Sequence, residues 1–428
     1  MFMTYHNLEL EQKKDMDYKI AVAIEATKKA FAVCRHRPGL AFSGGKDSTV
    51  LWHLIRTHFP EQAGRMAIIY GNTGVEYPEC VKFSRRLSHE WGSGNYYETL
   101  PGRTDATGLK YEAQRQILEY LITENRVEEV LKADGKLKST AALERACPPH
   151  LREKFKHENL FWPAGTRKSY WWCIDQYGWP LLGKAASKLK ARRINIDCFL
   201  SFSKSQSEDP KLLAYYELLK QVKFSQACCD ILKKEPSERM QAELGVDVIF
   251  KGLMAAESRP RMKNFTTRGY LFRSHRPHLG RKSGDPFWHC NPLSIWTDDD
   301  IWEYIRRYNV PYAELYDMGW TDRDGNFHKI KRNGCVGCGT DLLYKNNHMA
   351  MLRRTHPTLW SLYMRRGMAA EIQKLQIAKR NGQVSLFDVF DTSWLLDKRP
   401  CIFDSINHLV AVDDTWHDED RVFDPEVA

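Results

Sequence analysis

Six consecutive residues, Ser43-Gly44-Gly45-Lys46-Asp47-Ser48, carry the types a phosphate site needs in a usable order. Two adjacent glycines let the backbone bend until successive N–H groups converge on one point, and a helix starting there adds the positive end of its dipole. Lys46 supplies a full positive charge, Asp47 can hold the metal ion that accompanies a triphosphate, and the Ser43 and Ser48 hydroxyls can donate to phosphate oxygens. This is not the Walker loop: five residues separate Gly39 from Gly45, and Asp rather than Ser or Thr follows the lysine. A solvent-exposed turn with a chance lysine has the same letters, so the flanking sequence decides.

The second chemical grouping is sulfur. The chain has 11 Cys, and Met1 to Leu10 has neither a basic start nor an apolar core. No run approaches the span of a bilayer, so a cytoplasmic protein without membrane contact is expected, where thiols stay reduced. Clustered cysteines then point to metal or redox chemistry. Cys228-Cys229 and Cys335-x-x-Cys338 together offer four thiolates, a set suited to an iron–sulfur cluster or to zinc. Chance alone gives about 0.3 adjacent pairs at this cysteine content, so spacing by itself proves little. Cys34, Cys80, Cys147, Cys198 and Cys290 have no partner spacing and read as small buried hydrophobes. Cys173, between Trp172 and Ile174, either lines a substrate channel or packs among aromatics.

The elements that must position these groups follow from periodicity. Residues 12–35 read as an amphipathic helix, Pro38-Gly39 as a break, and Leu40-Ala41-Phe42 as a short buried strand leading into the glycine turn. Val50, Leu51, Leu54, Ile55 and Phe59 recur at helical spacing after it, completing a βα unit. Met66 to Tyr70 reads as a second strand ending in Asn72-Thr73-Gly74-Val75-Glu76, with a helix from Pro78 to Trp91. A parallel sheet is implied. Strand character returns at Val246 to Phe250, before Lys251-Gly252, and a helix capped by Thr297 with Asp300 three residues on runs to Tyr308. The resulting organisation is an α/β domain in two halves, 1–104 and 226–345, separated by a helical insertion, 105–225, and followed by a helical region with an acidic tail, 346–428.

Charge narrows the partners. The formal net charge is +10, and residues 413–428 hold seven carboxylates against one Arg, leaving +16 on the rest. Such a body attracts anions: nucleotides, phosphates or a nucleic-acid backbone. From Lys251 to Lys282 there are nine Lys or Arg and no more than three carboxylates, interleaved with Phe265, Tyr270, Phe272 and His275. Aromatics among cations suit single-stranded or distorted nucleic acid, and equally a loop lining an anionic pocket. Lys184, Lys188, Lys190, Arg192 and Arg193 have the same two readings. At 428 residues with 43% hydrophobic and 28% charged residues, the chain is neither a mini-scaffold nor globally disordered.

In this context Ser43 to Ser48 resembles the pyrophosphate loop of the N-type ATP pyrophosphatases, and within them the phosphoadenosine phosphosulfate (PAPS) reductase-like family. Asn72 to Glu79 resembles the family's second-strand signature. Gly252-Leu253-Met254-Ala255-Ala256-Glu257-Ser258-Arg259 resembles its Gly-Leu-Arg-x-x-Glu-Ser segment, and Pro292 to Tyr308 with Leu315-Tyr316 and Gly334 to Cys338 resembles its closing helix and cysteine pair. The resemblance implies an open, mostly parallel twisted sheet with helices on both faces (adenine nucleotide alpha hydrolase-like), with ATP across the carboxyl ends of the strands. It implies nucleotide contacts from Ser43, Gly44, Gly45, Lys46, Asp47, Ser48, Asn72, Thr73, Gly74 and Gly252, with Mg²⁺ on Asp47. Cys228 to Pro236 resembles the tandem-cysteine segment of cluster-bearing members, which implies a [4Fe–4S] cluster on Cys228, Cys229, Cys335 and Cys338; zinc and unligated thiols remain the alternatives.

Two departures bear on the reaction. The reductases attack their sulfonucleotide with a cysteine in a Glu-Cys-Gly segment near the C-terminus, which this sequence lacks; Cys401 sits in Arg399-Pro400-Cys401-Ile402-Phe403. Met254 stands where the family has Arg. The chain looks more like members from DNA phosphorothioation (Dnd and Ssp) systems, which implies ATP pyrophosphatase and sulfurtransferase chemistry on DNA, with a cysteine desulfurase as sulfur donor. Lys46 and Asp47 would then carry the leaving pyrophosphate and the metal, and Arg259 and Arg261 either steady the α-phosphate or are ordinary surface arginines. A sulfonucleotide reductase and a non-enzymatic iron–sulfur module that docks nucleic acid are the other two readings.

Overall fold

In a computed structural model of the chain, the structure describes residues 4–180 except 93, 134–136 and 179, then 227–274, 286–336 except 322–326, Cys338, and a few positions between 352 and 362. The Lys184–Arg193 segment, His275, Lys282, Cys198, Cys401, the tail and nearly all of the expected helical region beyond Cys338 lie outside them. Strands among the described residues are β1 (Arg37–Phe42), β2 (Ala67–Gly71), β3 (Tyr96–Thr99), β4 (Gly108–Leu109), β5 (Phe161–Trp162), β6 (Val246–Phe250), β7 (Leu271–Arg273), β8 (Trp288–Cys290), β9 (Gly319–Thr321) and β10 (Phe327–Lys329).

Two units divide the chain. The first comprises Met1–Pro101 with Asp230–Cys335, the second Gly102–Cys229 with Val336–Ala428. Cys228, Cys229 and Cys338 therefore belong to the second unit, and Cys335 to the first.

The first unit is built on a six-stranded sheet of order β3-β2-β1-β6-β8-β7 with helices on both faces. All neighbours pair in parallel except β7 with β8. It is the mostly parallel α/β sheet implied by the sequence. Its central strands are near-continuous apolar runs because both faces are covered: Leu40, Ile68, Ile69, Val248, Ile249 and Phe250 are all buried. Helix Met16–Val33 packs on β6, β7 and β8, and helix Glu235–Glu243 packs on β2, β3 and β6. Pro38-Gly39 does not break the chain before β1 but lies inside it. The register with β6 slips between Arg37 and Pro38, and at Gly39 a Cβ would come within 2.8 Å of the Val246 side chain. A bulge admits the proline, and close approach selects the glycine.

The remaining elements that hold the site follow their local signals. Helix Pro78–Trp91 begins on its proline, and helix Asp298–Tyr308 has the Thr297/Asp300 capping box, with Thr297 N–H donating to Asp300 at 2.7 Å. It ends on Asn309 in the left-handed region, φ 51°. A π turn, Asp230–Lys234, leads into helix Glu235–Glu243.

The second unit is mainly helical where described. Helices Tyr111–Thr123, Thr140–Ala146 and Pro149–His157 bury Ile117, Leu121, Leu143 and Phe155 together, and β4 pairs antiparallel with β5. Helix Tyr170–Tyr177 packs against the short turn Ala227–Cys229. Among the described residues no helix is long and apolar enough to cross a membrane.

Candidate functional site

The Ser43–Ser48 loop joins β1 to helix Lys46–His58, and each of its glycines is required by something that touches it. Gly44 has φ +68°, and a Cβ there would meet the Cys80 carbonyl at 3.1 Å and overlap the Ser84 hydroxyl. At Gly45 a Cβ would fall 2.6 Å from Asn333 Oδ1. Ser43 and Ser48 hydroxyls lie 3.1 Å apart, and Ser48 Oγ donates to the Gly45 carbonyl at 2.9 Å. Gly45 is the N-cap and supplies no side-chain cap; the Thr49 N–H is the first to return to Gly45. The amides of Lys46, Asp47 and Ser48 therefore precede the helical ladder, where an anion would bind. The Lys46 N–H donates to the Tyr316 hydroxyl at 3.1 Å. Burial, then the Asp47 charge, holds that phenol well above the ordinary tyrosine range.

Lys46 is only 3% exposed. Its Nζ lies 3.0 Å from Asp47 Oδ1 and 2.6 Å from Asp298 Oδ1. The lysine and the aspartate singled out from sequence are thus together, with a second carboxylate from the first turn of helix Asp298–Tyr308.

Two further segments border the loop. At the end of β2, Glu76 accepts from Thr73 N–H and Oγ1 (3.0 and 2.7 Å) and from Gly74 N–H at 3.1 Å, and Asn72 Oδ1 accepts from Gly74 N–H at 2.8 Å. This closes Asn72–Glu76 into a tight turn in which Gly74 takes φ +80°. At the end of β6, a Cβ on Gly252 would lie 2.8 Å from the Asp47 carbonyl, so only glycine permits this approach. Met254 is buried, in keeping with an apolar residue where a cation was looked for. Arg261 pairs with Glu257, which also accepts from Arg332 Nη2 at 3.0 Å, whereas Arg259 is exposed.

Segment 331–335 crosses the loop. Asn333 Nδ2 donates to the Ser43 carbonyl at 2.9 Å, and Cys335 Sγ stands 3.7 Å from Thr73 Oγ1. In the second unit, Cys228 is hydrogen-bonded to Cys229, and this bond, burial, and the nearness of Cys338 and Cys173 raise its thiol well above the ordinary range. Cys173 is buried and pushed up to about 12 by desolvation. Among the described residues no group of three or more His, Cys, Asp or Glu is gathered so as to hold a metal ion.

The phosphoadenosine phosphosulfate reductase domain matches residues 37–168 and 183–341, more than half of the chain. The chain belongs to the PAPS reductase domain family. Among curated relatives, the phosphoadenosine 5'-phosphosulfate reductase of Xanthomonas campestris pv. campestris (strain B100) is 29% identical over 103 residues, covering 24% of this chain and 36% of the relative. That of Xylella fastidiosa (strain 9a5c) is 30% identical over 99 residues, 23% and 35% of the two. The match thus spans about a third of these reductases' length. The crystal structure of phosphoadenylyl-sulfate (PAPS) reductase from Candida auris, a phosphate complex, aligns with TM-score 0.31 at 12% identity, covering 78% of this chain and 99% of that one.

In this member of the PAPS reductase domain family, Phe265, Tyr270 and Phe272 make ring contacts within the first unit, and Tyr270 and Phe272 are partly exposed. Phe265 is buried with Tyr270 edge-on at 4.8 Å, and Phe272 stacks on His289 at 5.1 Å. Cys80, Cys147 and Cys290 are buried as expected, and Cys34 is partly so. Asp298, Asn333 and Arg332 were not found from sequence. Asp298 was legible only as a helix-capping acid, and Asn333 and Arg332 carried no periodic or motif signal.

Proposed function

We propose that the chain is an ATP pyrophosphatase that activates an acceptor oxygen for sulfur insertion, with DNA as the acceptor. The observation that carries this reading is a buried lysine at an uncapped helix N-terminus entered through a Gly-Gly turn, with two carboxylates within 3.0 Å of its ammonium. Such an arrangement suits a magnesium-bound polyphosphate tail. The acceptor oxygen attacks the α-phosphorus as the α–β bridging bond breaks, and pyrophosphate leaves with its charge spread over Lys46 and the Gly44–Ser48 amides; Asp47 would hold a Mg²⁺ ion, which would supply further positive charge to that tail. The outer sulfur of a persulfide delivered by a cysteine desulfurase then displaces AMP from the activated acceptor, and a thiol reductant cleaves the resulting S–S bond, forming a disulfide with the carrier cysteine and leaving the sulfur on the acceptor. On this reading Asn72, Thr73, Gly74 and Gly252 would border the nucleotide, and Arg259 and Arg261, the latter held by Glu257, would either help to steady its α-phosphate or be ordinary surface arginines. The expected products from ATP and Mg²⁺ are AMP and pyrophosphate, stimulated by DNA and abolished in Lys46→Ala; ADP as product overturns the reading.

A [4Fe–4S] cluster on Cys228, Cys229, Cys335 and Cys338 is proposed with it. Its support is the donor chemistry and the order of these cysteines rather than an assembled ligand shell. Iron and acid-labile sulfide analysis of anaerobically purified protein should give roughly four irons per chain.

The names of the relatives favour a second reading, reduction of a sulfonucleotide. It predicts sulfite from PAPS or adenosine phosphosulfate with a thiol donor, and loss of sulfite in Cys401→Ser.

A further inference from the structure

The cations of the first unit near the strand ends are largely matched by carboxylates. Lys46 lies between Asp47 and Asp298, and Arg261 and Arg332 converge on Glu257. Lys251 differs. It is partly buried, and its ammonium makes no hydrogen bond or ion pair with any described residue. Enclosure by surrounding atoms pulls its pKa down, against an upward pull from Glu238. A partly buried ammonium with no bonded counter-charge, placed at the end of a central strand, is a position that an anion can complete.

Its place in the fold says what would complete it. Leu40 is in register with Phe250, so Lys251 and Gly252 run alongside the last residues of β1 before Ser43. The Lys251 N–H donates to the Cys290 carbonyl and its own carbonyl accepts from Leu253, both at 2.9 Å, which fixes the turn. The next residue, Gly252, meets the Asp47–Ser48 peptide so closely that a Cβ would overlap it. Phe250 rests on Phe31 of helix Met16–Val33, so strand alternation sends Lys251 to the opposite face, that of helix Glu235–Glu243. Met254, three residues on, is buried and brings no charge.

We infer that Lys251 is an anion-binding residue for the phosphate next to the ribose, the α-phosphate of a nucleotide whose tail lies in the Ser43–Ser48 loop. This rests on the nucleotide reading above and deepens it, assigning the tail to Lys46 and the reacting phosphate to Lys251. The cation sought at position 254 is supplied from the end of the same strand.

The experiment is calorimetric binding of AMP and of inorganic pyrophosphate to the full chain and to Lys251→Met, Lys251→Arg and Lys46→Ala. Lys251→Met should weaken AMP at least tenfold and leave pyrophosphate within twofold; Lys251→Arg should keep AMP within about threefold; Lys46→Ala should do the reverse of Lys251→Met. Unchanged AMP affinity in Lys251→Met overturns the inference, as does an equal loss of both ligands with a lowered melting temperature. On the unmutated chain, reductive methylation with ¹³C gives a Lys251 signal, identified by its absence in Lys251→Arg, that should move on adding AMP; a signal that stays put also overturns it. An unmutated chain that binds neither ligand overturns the nucleotide site itself, and the inference with it.

Discussion

Lys46 Nζ stands 2.6 Å from Asp298 Oδ1, an ion pair joining the Ser43–Ser48 loop to the first turn of a helix far along the chain. The lysine is buried while the aspartate side chain is about half exposed, at 53%. On the proposed nucleotide reading, Asp298 competes with an incoming phosphate for the same ammonium, at an energy reduced by solvent to roughly 0.5–1 kcal/mol. Asp298→Asn should tighten pyrophosphate in the absence of magnesium by about two- to fivefold. Calorimetry in EDTA checks this, and weaker metal-free binding would falsify the competition.

Asn333 holds the loop from above. Its amide satisfies the Ser43 carbonyl at 2.9 Å and fills the space over Gly45. Asn333→Ala removes the hydrogen bond and should lower stability by about 1–2 kcal/mol in denaturant unfolding. Gly45→Ala should be the worse of the two, since its methyl would press on the Asn333 side chain. Combining them should recover part of the loss, because truncating Asn333 makes room. Strict additivity in that double-mutant cycle counts against the contact.

Much of this geometry was legible because it is local. Helix Pro78–Trp91 and strand Val246–Phe250 begin and end on their own punctuation, and the Thr297/Asp300 box names itself in sequence. The Gly44-Gly45 turn is legible because its backbone demands are written in the glycines. Asn333 over Gly45, Asp298 on Lys46 and Arg332 on Glu257 are long-range meetings that no periodicity encodes. The edge strands were missed for a related reason. Tyr96–Thr99 and Leu271–Arg273 are short and partly exposed, so they lack the apolar runs of β1, β2 and β6. In the stretch from Phe265 to Phe272, aromatics among cations fitted a stacking surface and a pocket-lining loop equally, and the ring contacts they make with one another and with His289 were not legible from the pattern.

Alkaline pH should destabilise the fold over a defined window. Burial pushes the thiols of Cys34, Cys80 and Cys173 up to about 12 from a reference value of 9.0; at Cys34 the Asp247 carboxylate, 3.2 Å from the sulfur, adds to it. Above pH 9 the unfolded chain releases these protons while the folded chain retains them, so the folded state binds more protons and stability falls as pH rises. Their contribution is complete below about pH 9 and is lost as pH rises towards about 12. Chemical denaturation followed from pH 8 to 11 should show the decline, made shallower by Cys80→Ala. At pH 8 all three thiols should resist iodoacetamide in the native protein, and fast alkylation there would contradict the assignment.

The helix that brings Asp298 to Lys46 is itself anchored by a buried charge pair. Lys19 Nζ lies 2.7 Å from both Asp300 carboxylate oxygens, and Asp300 also closes the capping box with Thr297. Lys19 is 2% exposed, so removing it leaves the carboxylate without its counter-ion in the interior. Lys19→Met should lower unfolding free energy by about 3–5 kcal/mol, and pairing it with Asp300→Asn should restore a large part, since neutral Asn still serves the cap. Because Asp298 lies two residues from Asp300 on the same first turn, the single variant should also alter metal-free pyrophosphate affinity, and the double variant should bring it back. A Lys19→Met protein as stable as the parent would mean that this pair does not fix the helix, and the placement of Asp298 against Lys46 would need another cause.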